Sequence, residues 1–269
     1  MKVYYKNHFG EMIDLKQHPY HLLSGDLLDY EWETNSSGGR ISGFGKEIAE
    51  ITVKFEIFAK KEEYHRALDH AAEIFEKDVL SVTPGKLFVN DQYLECYITG
   101  SKKTEWESDI LAVTELTITT DYPYWIKEKT VHFEPISGES THNKDYPYRY
   151  PYRYTSGFSN RTFYNDHYVE SDFRMIIFGP VSFPAIFIGE HLYQVNTLLE
   201  RGEYLTIDSS KGTIVVTENA GKSRNVFNNR NKTQDIFHKI PVGMNKVKWS
   251  GEFGFDIILL KERSQPKCR

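Results

Sequence analysis

The side chains best suited to chemistry in this chain are its ten histidines, its two cysteines and a few short Gly, Ser and Asp runs. Their spacing decides what each could do. His65 and His70 stand five apart in a helical pattern, so they point to different faces and cannot form the i, i+4 pair that grips a metal. His132, His142, His167, His191 and His238 are scattered singly. Cys96 and Cys268 form no CxxC and no metal spacing, and are expected as free thiols of a chain that folds in a reducing compartment. Gly221-Lys222-Ser223 matches the end of a phosphate-binding loop, but the glycine needed five positions earlier is Val216. Gly43-Phe44-Gly45 lacks a third glycine and precedes a strand rather than a helix. Asp208-Ser209-Ser210 offers three oxygen-bearing side chains, but Lys211 and Gly212 do not continue a calcium loop. No G-x-S-x-G nucleophile elbow occurs. We therefore assign no catalytic, cofactor-binding or metal-ligating residue, call for no cofactor, and expect a protein that is not an enzyme.

The elements around these residues are mostly strands. Tyr204–Ile207 and Thr213–Val216 are short runs of β-branched and aromatic residues joined by Asp208–Gly212, which predicts a hairpin. A lone hairpin is marginal in water and needs a facing sheet. Ala185–Ile188, Leu192–Val195, Asn245–Trp249 and Phe253–Leu259 supply strands at roughly ten-residue spacing, the rhythm of a β-sandwich. Ile51–Ile57 alternates strictly, putting Ile51, Val53, Phe55 and Ile57 on one buried face. Before it, Asn35–Gly45 is rich in Gly and Ser and reads as a long flexible loop or the tip of an extended hairpin.

One helix is predicted, Lys61–Leu80. Tyr64, Leu68, Ala71 and Phe75 form its apolar stripe, widened by Ala67, Ile74 and Val79, and Pro84-Gly85 ends it. A second hairpin runs from Lys86–Val89 through Asn90-Asp91 into Tyr93–Ile98. A polar stretch, Gly100–Ser108, is expected to interrupt the strands before Ile110–Thr120. There Leu111 and Val113 have the opposite parity to Leu116 and Ile118, which predicts a bulge or bend.

At 269 residues the chain is long enough for two domains with separate cores. Its hydrophobic share of 39% is low, but an aromatic share of 14% offsets that, because each ring buries a large area. A formal charge of −5 gives no electrostatic reason for a nucleic-acid-binding face. With no apolar h-region near Met1 and no eighteen-residue apolar run, neither signal-peptide export nor membrane spanning is expected. Residues 137–175 are poor in aliphatics, and Tyr146–Tyr154 writes a Tyr-Pro-Tyr-Arg unit twice, which favours stiff, extended backbone. The expected division is 1–135, a β-sandwich with one α-helix and an extended hairpin; 136–155, a Tyr/Pro-rich connector; and 156–269, a second β-sandwich.

Taken together, Tyr146–Tyr154, Gly202–Ser209, Phe237–Asn245 and Glu262–Pro266 resemble the distal tail proteins (Dit) of long-tailed, non-contractile phages and prophages of Gram-positive bacteria. The resemblance spans nearly the whole chain, and its markers are fold markers, not catalytic ones. It implies a mainly β fold whose first domain builds a homohexameric ring and embraces its neighbour with the hairpin. Its second domain would be a galectin-like β-sandwich. It also implies a virion component at the tail tip, assembled in the host cytoplasm, with no membrane partner. The ring would join the tail tube protein to the tail-associated or tip protein, with a receptor-binding protein as a further partner. It would form a hub of the host-adsorption apparatus, and DNA would pass through its lumen without specific binding. The alternative is an adhesin that holds host cell-wall sugar through the C-terminal sandwich. Trp249 is the side chain that could stack on such a sugar, although a strand Trp is expected in the core.

Overall fold

A computed structural model describes residues 1–108, 110–136 and 159–267. The chain is mainly β and divides into two compact units, Met1–Lys127 with Glu262–Arg269, and Glu128–Lys261. The Tyr/Pro connector Tyr146–Tyr154, His142 and Cys268 lie outside the described residues.

The first unit contains β1 (Val3–Lys6), β2 (Met12–Asp14), β3 (Tyr20–Gly25), β4 (Glu33–Ser37), β5 (Arg40–Gly45) and β6 (Ala49–Phe58). The helix α1 (Lys61–Ser81), β7 (Gly85–Val89), β8 (Gln92–Ser108) and β9 (Leu111–Thr120) follow, and β10 (Trp125–Phe133) carries the chain onward. One antiparallel sheet runs β2-β1-β7-β8 and another β3-β6-β9-β8. The long β8 belongs to both, because Gln92–Cys96 pairs with β7 and Tyr97–Ser108 with β9. Val3, Tyr5 and Leu87 from the first sheet meet Val53, Phe55 and Leu116 from the second in one core. On β6 the predicted alternation holds: Val53, Phe55 and Ile57 are buried, and Ile51 packs partly against them.

The helix closes that core, contributing Tyr64, Ala67, Ala71, Ile74 and Phe75. Each large apolar side chain buried this way contributes about 1.5–3 kcal/mol. Glu62 and Glu63 in its first turn face the positive end of the helix dipole. The stripe differs from expectation at its far end, where Val79 is exposed and Asp78 is fully buried. Asp78 is accommodated because its carboxylate accepts from the Tyr5 hydroxyl and the His8 backbone N–H, and its other close neighbour is the His8 ring. Gly85 allows this arrangement, since a Cβ there would collide with both Asp78 and Tyr5. The helix then stops at Val82, a β-branched residue in the left-handed region at φ 51°.

Two expectations in this unit are corrected. Gly100–Ser108 does not break the strands; it is the outer half of β8, paired with β9. Its polar residues tolerate strand geometry because Ser101–Thr104 are exposed. Nor does β9 slip, since its ten-residue register with β6 is continuous and its burial alternates without interruption. Ala112 and Thr114 face inward with Leu116 and Ile118, so Leu111 and Val113 fall on the half-buried side. The irregularities lie in β8, at Ile98/Gly100 and on either side of Glu105.

The second unit is a two-sheet sandwich. Its strands are β11 (Ser159–Asn165), β12 (Asp172–Phe178), β13 (Val181–Ser182), β14 (Ala185–Ile188), β15 (His191–Gln194) and β16 (Leu198–Leu199). They continue with β17 (Tyr204–Asp208), β18 (Thr213–Thr217), β19 (Ser223–Asn225), a 3-10 turn at Phe227–Asn229, β20 (Gly243–Trp249) and β21 (Phe255–Arg263). One sheet contains the run β19-β18-β17-β12-β21 and the other is β11-β20-β14-β15. The predicted 204–216 hairpin is β17–β18, with Asp208 paired to Thr213 and Gly212 at φ 60°. Phe173, Met175, Leu205, Ile214 and Ile257 on the first sheet share a core with Ile186, Val247 and Trp249 on the second.

Candidate assembly site

The strands β4 and β5 form a two-stranded sheet of their own. Their turn is Gly38-Gly39, at φ 60° and 76°, the two positive values that a tight two-residue hairpin turn requires and that only glycine takes without a Cβ clash. Of the two forms expected for the Gly/Ser-rich stretch, a flexible loop or a hairpin tip, the structure has the hairpin. In it every residue except Gly43 and Gly45 is exposed. The ladder pairs Thr34 with Phe44 and Asn35 with Gly43, then jumps to Ser36 with Ile41, leaving Ser42 as a bulge. Its hydroxyl donates to the Asn35 carbonyl at 3.1 Å. A bulge advances the strand by one residue without changing its phase. Ile41 and Phe44, three apart in sequence, therefore project from one face of the ribbon. They are 63% and 59% exposed. Arg40, Ser42, Asn35 and Glu33 occupy the opposite, polar face.

The stems of this ribbon are held at one point. Lys46, just after β5, places its Nζ 4.6 Å from the Tyr124 ring centre, 5.0 Å from Trp32 and 5.8 Å from Tyr30, and donates to the Pro123 carbonyl at 2.9 Å. Partial burial pulls its amine below the usual lysine range. Beside it lies a cavity of about 410 Å³ bounded by Asp26, Glu31, Glu33, Glu47 and Trp125. The Glu47 carboxylate pushes the pKa of Glu33 upward, and burial and the nearby Glu31 add to it. The signal for this cage was present in the sequence as Tyr30, Trp32 and Lys46 flanking the glycine-rich stretch, but Tyr124 is distant and could not be paired with them.

The residues weighed for chemistry stand apart. His65 and His70 are exposed on α1, with His70 near the Tyr20 hydroxyl. Gly221-Lys222-Ser223 forms the β18–β19 turn, where Glu218 N–H donates to the Lys222 carbonyl. Asp208 accepts from the Ser210 hydroxyl, the Lys211 N–H and Arg174 Nε, so its oxygens organise the loop. Cys96 is buried, and that burial pushes its thiol far above its usual range. Among the described residues no group of three or more His, Cys, Asp or Glu is arranged to hold a metal. In the second unit His191 and His238 stack at 4.4 Å beside a cavity of about 390 Å³. Trp249 is fully buried: its Nε1 donates to the Phe253 carbonyl at 3.0 Å, and its ring meets Phe133 and Phe255 edge-on. It cannot stack on a sugar from there.

No protein-family model and no curated protein sequence matches the chain. Solved structures do. The Dit protein of phage SPP1 superposes with a TM-score of 0.58 at 9% identity, covering 97% of this chain and 98% of that one. This chain shares the fold of a phage Dit protein. A chain of the phage P2 baseplate, in its activated conformation with calcium, gives a TM-score of 0.62 at 13% identity over 98% of this chain and 99% of its own. The same baseplate with strontium gives the same values. The SPP1 Dit protein is described as a paradigm of the hub adsorption apparatus in phages that infect Gram-positive bacteria.

Proposed function

We propose that this chain is a structural subunit of a phage tail tip, a Dit-type hub that closes with copies of itself into a hexameric ring. The observation that carries the reading is the β4–β5 arm. A two-stranded ribbon is marginal in water, yet this one is almost entirely exposed and turns Ile41 and Phe44 outward together. Such a face is built to be covered, and the full-length likeness to a Dit protein supports a second copy of the chain as its occupant. In the virion the ring joins the tail tube protein to the tail-associated or tip protein, offers a mount for a receptor-binding protein, and leaves a channel for DNA. The chain acts by shape and carries no catalytic role. A sugar-binding adhesin is the weaker reading, because the side chain that motivated it, Trp249, is inside the core.

Negative-stain imaging of the purified chain tests this directly, with sixfold ring averages as the expected result. A variant in which Thr34–Phe44 is replaced by an Asn-Gly turn keeps Glu33 opposite Gly45 while removing the arm. Rings should vanish while both units keep their melting behaviour. Unchanged rings in that variant, or a chain that is monomeric at every concentration, would overturn the reading.

A further inference from the structure

We propose that Lys46, caged by Tyr30, Trp32 and Tyr124, is the latch that fixes the direction of the β4–β5 arm before any partner arrives. The inference rests on the arm being the assembly element. Glu33 and Gly45 are the last paired positions of the ribbon, so Trp32 and Lys46 are the first residues of its two stems. Both converge on Tyr124: Trp32 meets it edge-on at 6.1 Å and Lys46 lies 4.6 Å from its centre. The Pro123 carbonyl accepts from the same amine, so a single side chain ties both stems to the segment between β9 and β10. Beneath them is open space of about 410 Å³ rather than packed side chains, and among the described residues no other strand pairs with the ribbon. Residues 26–33 and 45–50 hold Asp26, Asp29, Glu31, Glu33, Glu47 and Glu50, with Lys46 as their one cation. Mutual repulsion of these carboxylates drives the stems apart, and the caged ammonium is the opposing attraction, strongest where water is partly excluded. Without it the arm pivots about its stems, and only the fraction of chains with the arm correctly aimed can associate.

The test is a distance measured across the latch. Nitroxides on Ser37→Cys at the arm tip and Glu73→Cys on the exposed side of α1, with Cys268→Ser and dilution into unlabelled protein, report the arm's direction within one chain. A single narrow distribution is expected for the parent and for Lys46→Arg, which keeps the cation over the rings. Lys46→Met and Tyr124→Leu should broaden it, with the protein concentration at half-assembly rising about tenfold as the competent fraction falls. An unchanged distribution in Lys46→Met that still melts like the parent overturns the latch. Broadening with no change in assembly keeps the latch and instead removes the arm from the assembly reading. If Lys46→Met does not fold, Tyr124→Leu against Lys46→Arg makes the same comparison.

Discussion

The bulge at Ser42 makes an unusual prediction about a single inserted residue. At present Ser42 has no partner across the ribbon, and Ile41 and Phe44 share a face because of it. Inserting one Ser between Asn35 and Ser36 gives Ser42 a partner and makes the ladder regular. Ile41 and Phe44 then fall on opposite faces, since side chains in a regular strand alternate. Deleting Ser42 also makes the ladder regular, but leaves Ile41 and Phe44 two apart and on the same face. The two edits are equal in size and opposite in consequence. Full burial of an Ile is favourable by about 1.5–3 kcal/mol, and 63% of Ile41 is still in water in the free chain. Turning it away therefore costs about 1–2 kcal/mol per contact, or about a 5- to 30-fold weaker association. Sedimentation velocity over a concentration series reads this directly. The insertion should shift assembly by that factor and the deletion should leave it near the parent. Equal losses in both variants, or none in either, would refute the idea that the shared apolar face drives association.

Three further outcomes follow from the packing. Trp249→Ala should destabilise the second unit by about 3–5 kcal/mol, seen in thermal melting by circular dichroism; lost sugar binding at unchanged stability would revive the adhesin instead. Val82→Gly should stabilise the first unit by roughly 1 kcal/mol, because a left-handed conformation costs a β-branched residue about that much and costs Gly nothing comparable; a lower denaturation midpoint would contradict this. Asp166 is held well below the usual carboxylate range by hydrogen bonds from Lys129 and Lys261. A depressed folded-state value means its contribution is complete above the unfolded value near pH 4 and fades as pH falls further. Because the group is half exposed, that contribution is below about 1 kcal/mol. Asp166→Asn should therefore cost little at pH 7 and flatten the acid limb of the stability curve; an acid limb as steep as the parent's would assign it elsewhere.

What could be read from the sequence depended on whether the deciding contact was local. The β6 alternation, the 204–216 hairpin, the helix and the glycine turn of the arm all carry their cause within a few residues. The strand β12 does not. It lies between β17 and β21, yet Asp172–Phe178 borders a stretch poor in aliphatics and is not among the strands that the sequence predicts. The inward placement of Asp78 was equally hidden, because the groups that satisfy it, Tyr5 and His8, lie seventy or more residues away. Helical phase alone assigned that place to Val79. On β9 the large side chains misled: position, set by ten pairs with β6, put Ala112 and Thr114 inward and left Leu111 and Val113 at the margin.

The same contrast bears on function. Both units bury self-sufficient cores, so the residues that break the usual rules are not needed for folding. In the first unit they include Ile41, Phe44 and Ile48 on or beside the arm, and Leu80 and Val82 at the end of α1; in the second, Tyr168, Phe183, Leu198 and Met244; all are more than half exposed, and Phe183, like Val82, lies in the left-handed region. Val82 adds an unfavourable backbone conformation to an unfavourable exposure. A chain that acted alone would lose nothing by replacing these with Gly, Ser or Lys, and would gain solubility. Sites where sequence and structure violate local preference without local compensation are those at which another requirement prevails. If the chain assembles as proposed above, that requirement is contact with another protein surface. In that assembly the arm, apolar on one face, is where such contact would begin.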